Sequence, residues 1–122
     1  NEAFRVLKKG AIFGFSEHGL GTKGNPIFPL PWADDENMSF LKTPEYTKSL
    51  LKKIGFKNIK IISTGEKYIS GYNSLLKKGQ SNEKPTLGIH VIGGDSMLER
   101  SKNSMRSIIE NRTYPFEIIC NR

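Results

Sequence analysis

The chain of 122 residues contains few of the residue types on which several protein classes depend. Its one cysteine, Cys120, cannot form an internal disulfide, which excludes a disulfide-stabilised fold and indicates a reducing, cytoplasmic location. With two histidines, His18 and His90, beside that cysteine, the sequence offers no metal-ligand cluster and no Ser-His-Asp arrangement. No apolar run approaches the ~20 residues that cross a bilayer, so we expect no membrane partner.

Glycine is common, with twelve residues, but no glycine-rich phosphate loop is present. A cofactor-binding fingerprint requires a strand before the glycines, a helix after them and an acidic residue about 20 positions further on. Neither Gly19-Leu20-Gly21 nor Gly93-Gly94 has that context. We therefore predict no cofactor-binding residue and no metal-binding residue within this chain.

The excess of basic residues gives a net charge of +7, which is typical of proteins that bind anions or nucleic acid. The lysines, however, occur as scattered doublets such as Lys8-Lys9, Lys52-Lys53 and Lys77-Lys78, without interleaved aromatic residues for base stacking. This pattern favours a solvated surface, and we do not expect a nucleic-acid partner. The alternative is a stand-alone basic binding or oligomerisation module for an anionic ligand or RNA.

Local signals predict four helices. The first occupies residues 2–9 and ends at Gly10; the second has Thr43 as N-cap and Pro44 in its first turn, and ends at Gly55. A third is predicted over 68–76. A capping box of Ser96 and Glu99 begins the last, whose apolar face comprises Met97, Leu98, Met105, Ile108 and Ile109.

Strands are predicted between these helices, over 11–15, 58–63 and 116–120, with Cys120 as a buried strand thiol. The sequence of residues 87–92 predicts a further strand or a packed extended segment. Alternation of helices and strands predicts an α/β layered sheet.

Two segments resemble motifs of class I S-adenosylmethionine-dependent methyltransferases that act on small molecules. Residues 2–10, Glu-Ala-Phe-Arg-Val-Leu-Lys-Lys-Gly, with the following strand and Ser16-Glu17, resemble the family's RVLKPGG segment, except that Lys9 replaces Pro and Ala11 replaces the second Gly. Residues 43–56, from Thr-Pro-Glu to Leu-Leu-Lys-Lys-Ile-Gly-Phe, resemble the family's TPEE…LLxxAGF helix.

This resemblance implies that residues 1–122 are the C-terminal part of a single Rossmann-like methyltransferase domain. Three strands with flanking helices are implied, the last strand lying antiparallel between the other two, together with a lid loop over about 17–42 and an insertion over about 65–94. The missing N-terminal half of the domain would be a partner and would hold most of the S-adenosylmethionine. The chain alone is then expected to be inactive, with sheet edges through which copies could associate. A fragment of a different α/β enzyme is the second alternative.

Ligands of open α/β sheets bind beyond the carboxyl ends of the strands, where Ser16, Glu17 and His18 are predicted. Glu17 and His18 are therefore the candidate catalytic residues, orienting a nucleophile or taking its proton. The alternative is that Glu17 caps local amides and His18 is a solvated loop residue.

The candidate substrate-binding residues are apolar side chains of the lid and one further histidine. The lid residues are Phe28, Trp32, Met38 and Phe40; the alternative is that their side chains only pin the loop to the core. The histidine is His90, which lies within an apolar run; the alternative is a core or lid histidine hydrogen-bonded to the backbone. The acidic triplet Asp34-Asp35-Glu36 is interpreted as solvated loop, since consecutive carboxylates rarely converge on a metal.

Overall fold

The structure, a computed structural model, describes residues 1–79, 91, 94 and 96–122. The predicted site residue His90 and most of the extended segment predicted over 87–92 lie outside these residues. The described elements are α1 (Glu2–Val6), β1 (Ile12–Leu20), a 3₁₀ turn (Glu36–Met38), α2 (Pro44–Ile54), β2 (Lys57–Ser63), α3 (Gly65–Gly79), α4 (Met97–Ile109) and β3 (Thr113–Asn121). None of the described helices is both long and apolar enough to cross a membrane.

The three strands form one sheet in the order β1-β3-β2, and β3 is antiparallel to both neighbours. This confirms the α/β fold and the arrangement implied by the resemblance, with the last strand in the centre. In the register of β1 and β3, Glu17 lies opposite Phe116 and His18 lies opposite Pro115. Because side chains alternate along a strand, these two pairs lie on opposite faces of the sheet.

The hydrophobic core lies on the face that carries Phe116. There Phe116, Ile118 and Cys120 of β3 are fully buried and pack with Leu51 of α2 and with Phe56. The prediction that Cys120 is a buried strand thiol is thus confirmed.

Helix α2 begins and ends as its sequence predicts. The Thr43 hydroxyl accepts a hydrogen bond from the Tyr46 amide at 3.2 Å, and Pro44 stands in the first turn. Gly55 ends the helix at φ +115°, a conformation that strongly favours glycine. The predictions of β2 and of a helix over 68–76 are also confirmed, the latter as the longer α3.

The beginning of the chain differs from its prediction. Helix α1 ends at Val6, because Leu7 is already extended, so Gly10 does not end it. Gly10 instead takes φ +79° in the turn that enters β1, and its amide donates to the Arg122 carbonyl at 2.9 Å. The conformation of Gly10 is therefore set by its hydrogen bond to Arg122, which follows β3, and not by the end of α1.

Strand β1 is also longer than predicted, because it continues through Glu17 and His18 to Leu20. Residues 113–117 of β3 supply the partners for this extension. Gly19 suits the close packing, since a Cβ there would lie 2.7 Å from the Phe116 ring. Glu17 and His18 are therefore strand residues, and the loop begins at residue 21 rather than 17.

Helix α4 departs from its predicted cap and from part of its predicted face. The prediction of a capping box is wrong. The Ser96 side chain makes no cap hydrogen bond to the backbone of the first turn, and its hydroxyl instead accepts from the side-chain Nε of Arg100 at 3.0 Å. Leu98 and Ile109 are exposed. The buried face comprises Met97, Ser101, Ser104, Ser107 and Ile108. The small serines let α3 and the loop after β1 approach the helix, which the apolar pattern did not reveal.

Candidate functional site

Rings from three segments meet on the sheet face opposite the main core, near the carboxyl end of β1. His18 of β1 packs against Trp32 of the following loop, with ring centroids 4.6 Å apart. Tyr68 of α3 contacts the same imidazole edge-on, also at 4.6 Å, and Tyr72 lies 6.4 Å from Tyr68. We call His18, Trp32, Tyr68 and Tyr72 the aromatic cluster.

The imidazole of His18 is half-buried, and one of its nitrogen atoms lacks a partner among the described residues. Its Nδ1 atom is inaccessible to solvent and makes no hydrogen bond with any described residue. Burial lowers the pKa of His18 to about 4, so the ring is neutral at pH 7. A buried polar atom without a partner costs about 1–3 kcal/mol. A ligand that hydrogen-bonds Nδ1 would recover that free energy.

The tyrosine side of the aromatic cluster is anchored on α4. Ser104, which is fully buried, donates a hydrogen bond to the Tyr72 hydroxyl at 2.9 Å. Burial raises the pKa of Tyr72, so the phenol is protonated at neutral pH. This contact fixes α3 against α4, and with it the position of Tyr68 over His18.

The loop after β1 lies along one stripe of α4. The Ile27 amide donates to Ser107 Oγ at 3.0 Å, Asn103 Nδ2 donates to the Pro29 carbonyl at 3.1 Å, and Arg100 Nη1 donates to the Leu30 carbonyl at 2.7 Å. Arg100, Asn103 and Ser107 are spaced by three and four residues, as neighbours on one helix face are. The loop is therefore held by its backbone, and its Phe28–Pro29 bond is cis.

A small cavity adjoins the aromatic cluster. Its volume is about 130 Å³, and it is partly open to solvent. It is lined by Leu20, Asn25, Pro26, Phe28, Glu36, Ser39 and Leu41. Ser39 links the two features, because its hydroxyl accepts a hydrogen bond from Trp32 Nε1 at 3.4 Å.

The structure separates the two predicted catalytic residues. His18 joins the aromatic cluster, whereas Glu17 lies on the other face, opposite the core residue Phe116. Burial raises the pKa of the Glu17 carboxyl. The two side chains therefore do not converge on one point, and only His18 is brought together with other predicted site residues.

The predicted lid residues are divided in the same way. Trp32 belongs to the aromatic cluster and Phe28 lines the cavity. Met38 and Phe40 are 53% and 82% exposed, so they enclose nothing among the described residues.

The acidic triplet has three separate roles rather than one. Asp34 forms an ion pair with Arg100, Asp35 accepts from the Asn37 amide at 2.8 Å, and Glu36 lines the cavity. No group of three or more His, Cys, Asp or Glu side chains within the described ranges could hold a metal ion.

Sequence reasoning missed Tyr68, Tyr72, Ser104 and Arg100. The two tyrosines are four residues apart in a predicted helix, which places them on one face, but nothing in the sequence pairs that face with His18. The Arg100 and Ser104 contacts join residues distant along the chain, so no local pattern indicates them.

Two close-packed glycines near the end of β1, Gly19 and Gly21, do not form a cofactor cradle. A Cβ on Gly19 would meet Phe116, and a Cβ on Gly21 would lie 2.0 Å from the Asn111 carbonyl oxygen. The chain's own atoms thus fill the space that these glycines leave. Neither glycine therefore leaves room for a cofactor, and the absence of cofactor-binding residues from this chain stays a prediction.

Comparison with known proteins places the fold. No protein-family model and no curated protein sequence matches the chain. Two solved structures of phosphoethanolamine N-methyltransferase 2 from Haemonchus contortus are similar to it. One, with phosphomonomethylethanolamine and S-adenosylhomocysteine, has a TM-score of 0.75 at 14% identity; the other, with S-adenosyl-L-methionine, has a TM-score of 0.74 at 16% identity.

Each comparison covers 98% of this chain but only 28% of the other protein, so the chain spans less than a third of their length. The sheet order, with β3 antiparallel in the centre, and this similarity lead to the same conclusion: the chain has the fold of part of a class I S-adenosylmethionine-dependent methyltransferase.

Proposed function

We propose that the chain is the acceptor-side part of a longer protein that transfers methyl groups from S-adenosylmethionine to a small molecule. One observation carries the proposal: the aromatic cluster surrounds a half-buried, neutral His18 whose inaccessible Nδ1 has no partner among the described residues, near the carboxyl end of β1. Ligands of open α/β sheets bind beyond that end of the strands. The cofactor would be held by the rest of the protein, and this chain alone would not catalyse the reaction.

Methyl transfer is an in-line displacement that depends on positioning and on exclusion of water. In the proposed site, the rings of Trp32 and Tyr68 exclude water and pack against the acceptor. Nδ1 of His18 is covered in the structure, so the acceptor would displace one of these rings to reach it and would then donate a hydrogen bond to Nδ1, which orients the acceptor's nucleophilic group. Glu17 remains a predicted catalytic residue, but its place on the other face leaves it outside this site.

A small amine is the acceptor class that we propose. A neutral amine that attacks the methyl group becomes an ammonium as the positive charge passes from the sulfonium to nitrogen. Aromatic faces attract such organic cations, and the adjoining cavity offers the ring of Phe28 and the carboxylate-bearing Glu36. The ion pairs formed by described residues do not include Glu36, which leaves its charge available to a cationic ligand. The similar nematode enzyme was solved with phosphomonomethylethanolamine, which is itself an amine.

The first experiment measures binding of S-adenosylmethionine and S-adenosylhomocysteine by isothermal titration, using both the full-length protein and this chain. We expect binding by the full-length protein only. Absence of binding by both would overturn the methyltransferase function. Binding of RNA or an anionic ligand by the chain alone would then favour the stand-alone basic module, whose doublets such as Lys52-Lys53 are exposed.

The second experiment tests the acceptor site with methylation of a panel of small amines. In the full-length protein we expect Trp32→Ala to raise the acceptor KM about tenfold, which corresponds to about 1.4 kcal/mol, without changing the affinity for S-adenosylmethionine. Phe40→Ala is the matched control, because this aromatic residue of the same loop is 82% exposed. Equal effects of the two variants would contradict the proposed site.

The remaining partners and the location are also proposals. Edge strands β1 and β2 each leave one side without a neighbour in the described sheet, and pairing there with the rest of the domain or with a second copy is expected. The single cysteine supports a cytoplasmic location.

A further inference from the structure

Arg100 connects α4 to both ends of one turn in the loop after β1. Its Nη1 donates to the Leu30 carbonyl at 2.7 Å, its Nη2 pairs with the Asp34 carboxylate, and its Nε donates to Ser96 Oγ at 3.0 Å. The side chain is only 19% exposed. The planar guanidinium can make these contacts at once because its donors point in fixed directions.

The turn that Arg100 holds carries Trp32. Leu30 and Ala33 exchange two backbone hydrogen bonds, at 2.7 and 3.2 Å, and both residues are almost completely buried. Trp32 stands between them, so its backbone position follows that of the turn. Its ring then reaches His18 at 4.6 Å. A continuous set of contacts therefore runs from Arg100 through the turn to the imidazole.

We propose that Arg100 is a positioning residue, which holds the turn of residues 30–34 so that Trp32 covers His18. The hydrogen bond to the Leu30 carbonyl contributes more to holding the turn than the ion pair with Asp34 does. Leu30 is fully buried, whereas the Asp34 side chain is 62% exposed. Exposed ion pairs contribute little in water. The consequence for turnover rests on the proposed acceptor site, but the geometric role does not.

The test uses the chain of 122 residues, in which Trp32 is the one tryptophan and His18 is one of two histidines. The variants are Arg100→Met, Arg100→Lys and Asp34→Asn, with Lys102→Met as control, because Lys102 is an exposed cation of the same helix. The pKa of His18 is followed by NMR of labelled histidine, assigned with His18→Gln, and the environment of Trp32 by its fluorescence.

In Arg100→Met we expect the pKa of His18 to rise by at least one unit, from about 4 towards the ordinary value of about 6.5, and the Trp32 emission to shift to the red. Burial alone lowers this pKa, and the titratable group that faces His18 from α3 is Tyr68. Arg100→Lys keeps the charge but not the planar fork, so it should shift both signals in the same direction. Asp34→Asn should shift them less, and Lys102→Met not at all.

A folded Arg100→Met chain with unchanged His18 pKa and Trp32 emission would overturn the positioning role. If that variant does not fold, unchanged signals in Arg100→Lys would overturn it equally. In the full-length protein, Arg100→Lys should raise the acceptor KM and leave the cofactor affinity unchanged. A shifted His18 pKa with an unchanged acceptor KM would refute the acceptor site while leaving the positioning role intact.

Discussion

The imidazole of His18 lies 4.6 Å from the indole of Trp32, although one belongs to a sheet strand and the other to an irregular loop. Partial burial of the imidazole, to which this contact contributes, lowers the pKa of His18 to about 4. It also brings a residue predicted to act in catalysis together with one predicted to bind substrate. The fluorescence of Trp32 therefore reports on the protonation state of His18 in the chain itself.

Protonation of His18 should quench the fluorescence of Trp32, because an imidazolium ring in contact with an excited indole accepts an electron from it. We expect a transition with a midpoint near pH 4. His18→Gln should abolish it, with circular dichroism used to check that the fold persists over the same range. A midpoint near 6.5 in the folded chain would mean that His18 is solvated.

Folding stability should fall as the pH falls from about 6.5 to about 4. The unfolded chain has the higher His18 pKa and binds the proton first, so acid favours unfolding throughout that window. His18→Phe keeps a ring in the aromatic cluster but does not titrate. The difference in stability between wild type and this variant, measured by urea unfolding, should change by up to about 3 kcal/mol. The titration of Glu17 is common to both proteins, and a difference that is constant with pH would contradict the prediction.

Alanine substitutions at Gly21 and at Gly71 should change the free energy of unfolding in opposite directions. Gly21→Ala places a Cβ 2.0 Å from the Asn111 carbonyl oxygen, where only backbone displacement can relieve the overlap, and should destabilise the chain by about 3 kcal/mol. Gly71→Ala meets no atom within 4 Å and lies within α3, so it should stabilise by about 1 kcal/mol. Urea unfolding measures both, and similar losses at the two positions would disprove the packing at Gly21.

The contact between Ser104 and Tyr72 should couple α3 to α4. Each of Ser104→Ala and Tyr72→Phe removes one side of a part-buried hydrogen bond, and we expect a coupling of about 1 kcal/mol in a double-mutant cycle of thermal unfolding. Ser74→Ala serves as the control, since its exposed hydroxyl donates to the Ser70 carbonyl within α3. A cycle with Ser74 should be additive, and additivity in the Ser104 cycle as well would refute the coupling.

Both ends of helix α2 are defined by local sequence signals. Its N-cap Thr43, its Pro44 and its terminal Gly55 each act within one turn of the helix, so neighbouring residues are sufficient to define the element. In α4, by contrast, the Ser96 hydroxyl bonds Arg100 rather than the backbone of its own first turn. Arg100 itself is held by a distant loop, which a local pattern cannot represent.

Only some residues of the candidate site could be predicted from the sequence. His18, Trp32 and Phe28 were predicted because an imidazole near a strand end and apolar residues in a loop are unusual for a solvated segment. Met38 and Phe40 have the same apolar character but are exposed, because the turns around them direct them to solvent.

The sequence by itself determined the order of helices and strands and the limits of α2, because spacing, capping residues and apolar periodicity act over a few residues. The resemblance to a methyltransferase rests on two short motifs, over residues 2–17 and 43–56. The tertiary structure alone decided that β1 extends to Leu20, that Glu17 and His18 face opposite sides, and that Tyr68 covers the imidazole. Each of these depends on β3 or on the α3 and α4 pair. Those contacts join residues distant in the chain, and their free energy exists only once the sheet and helices have packed.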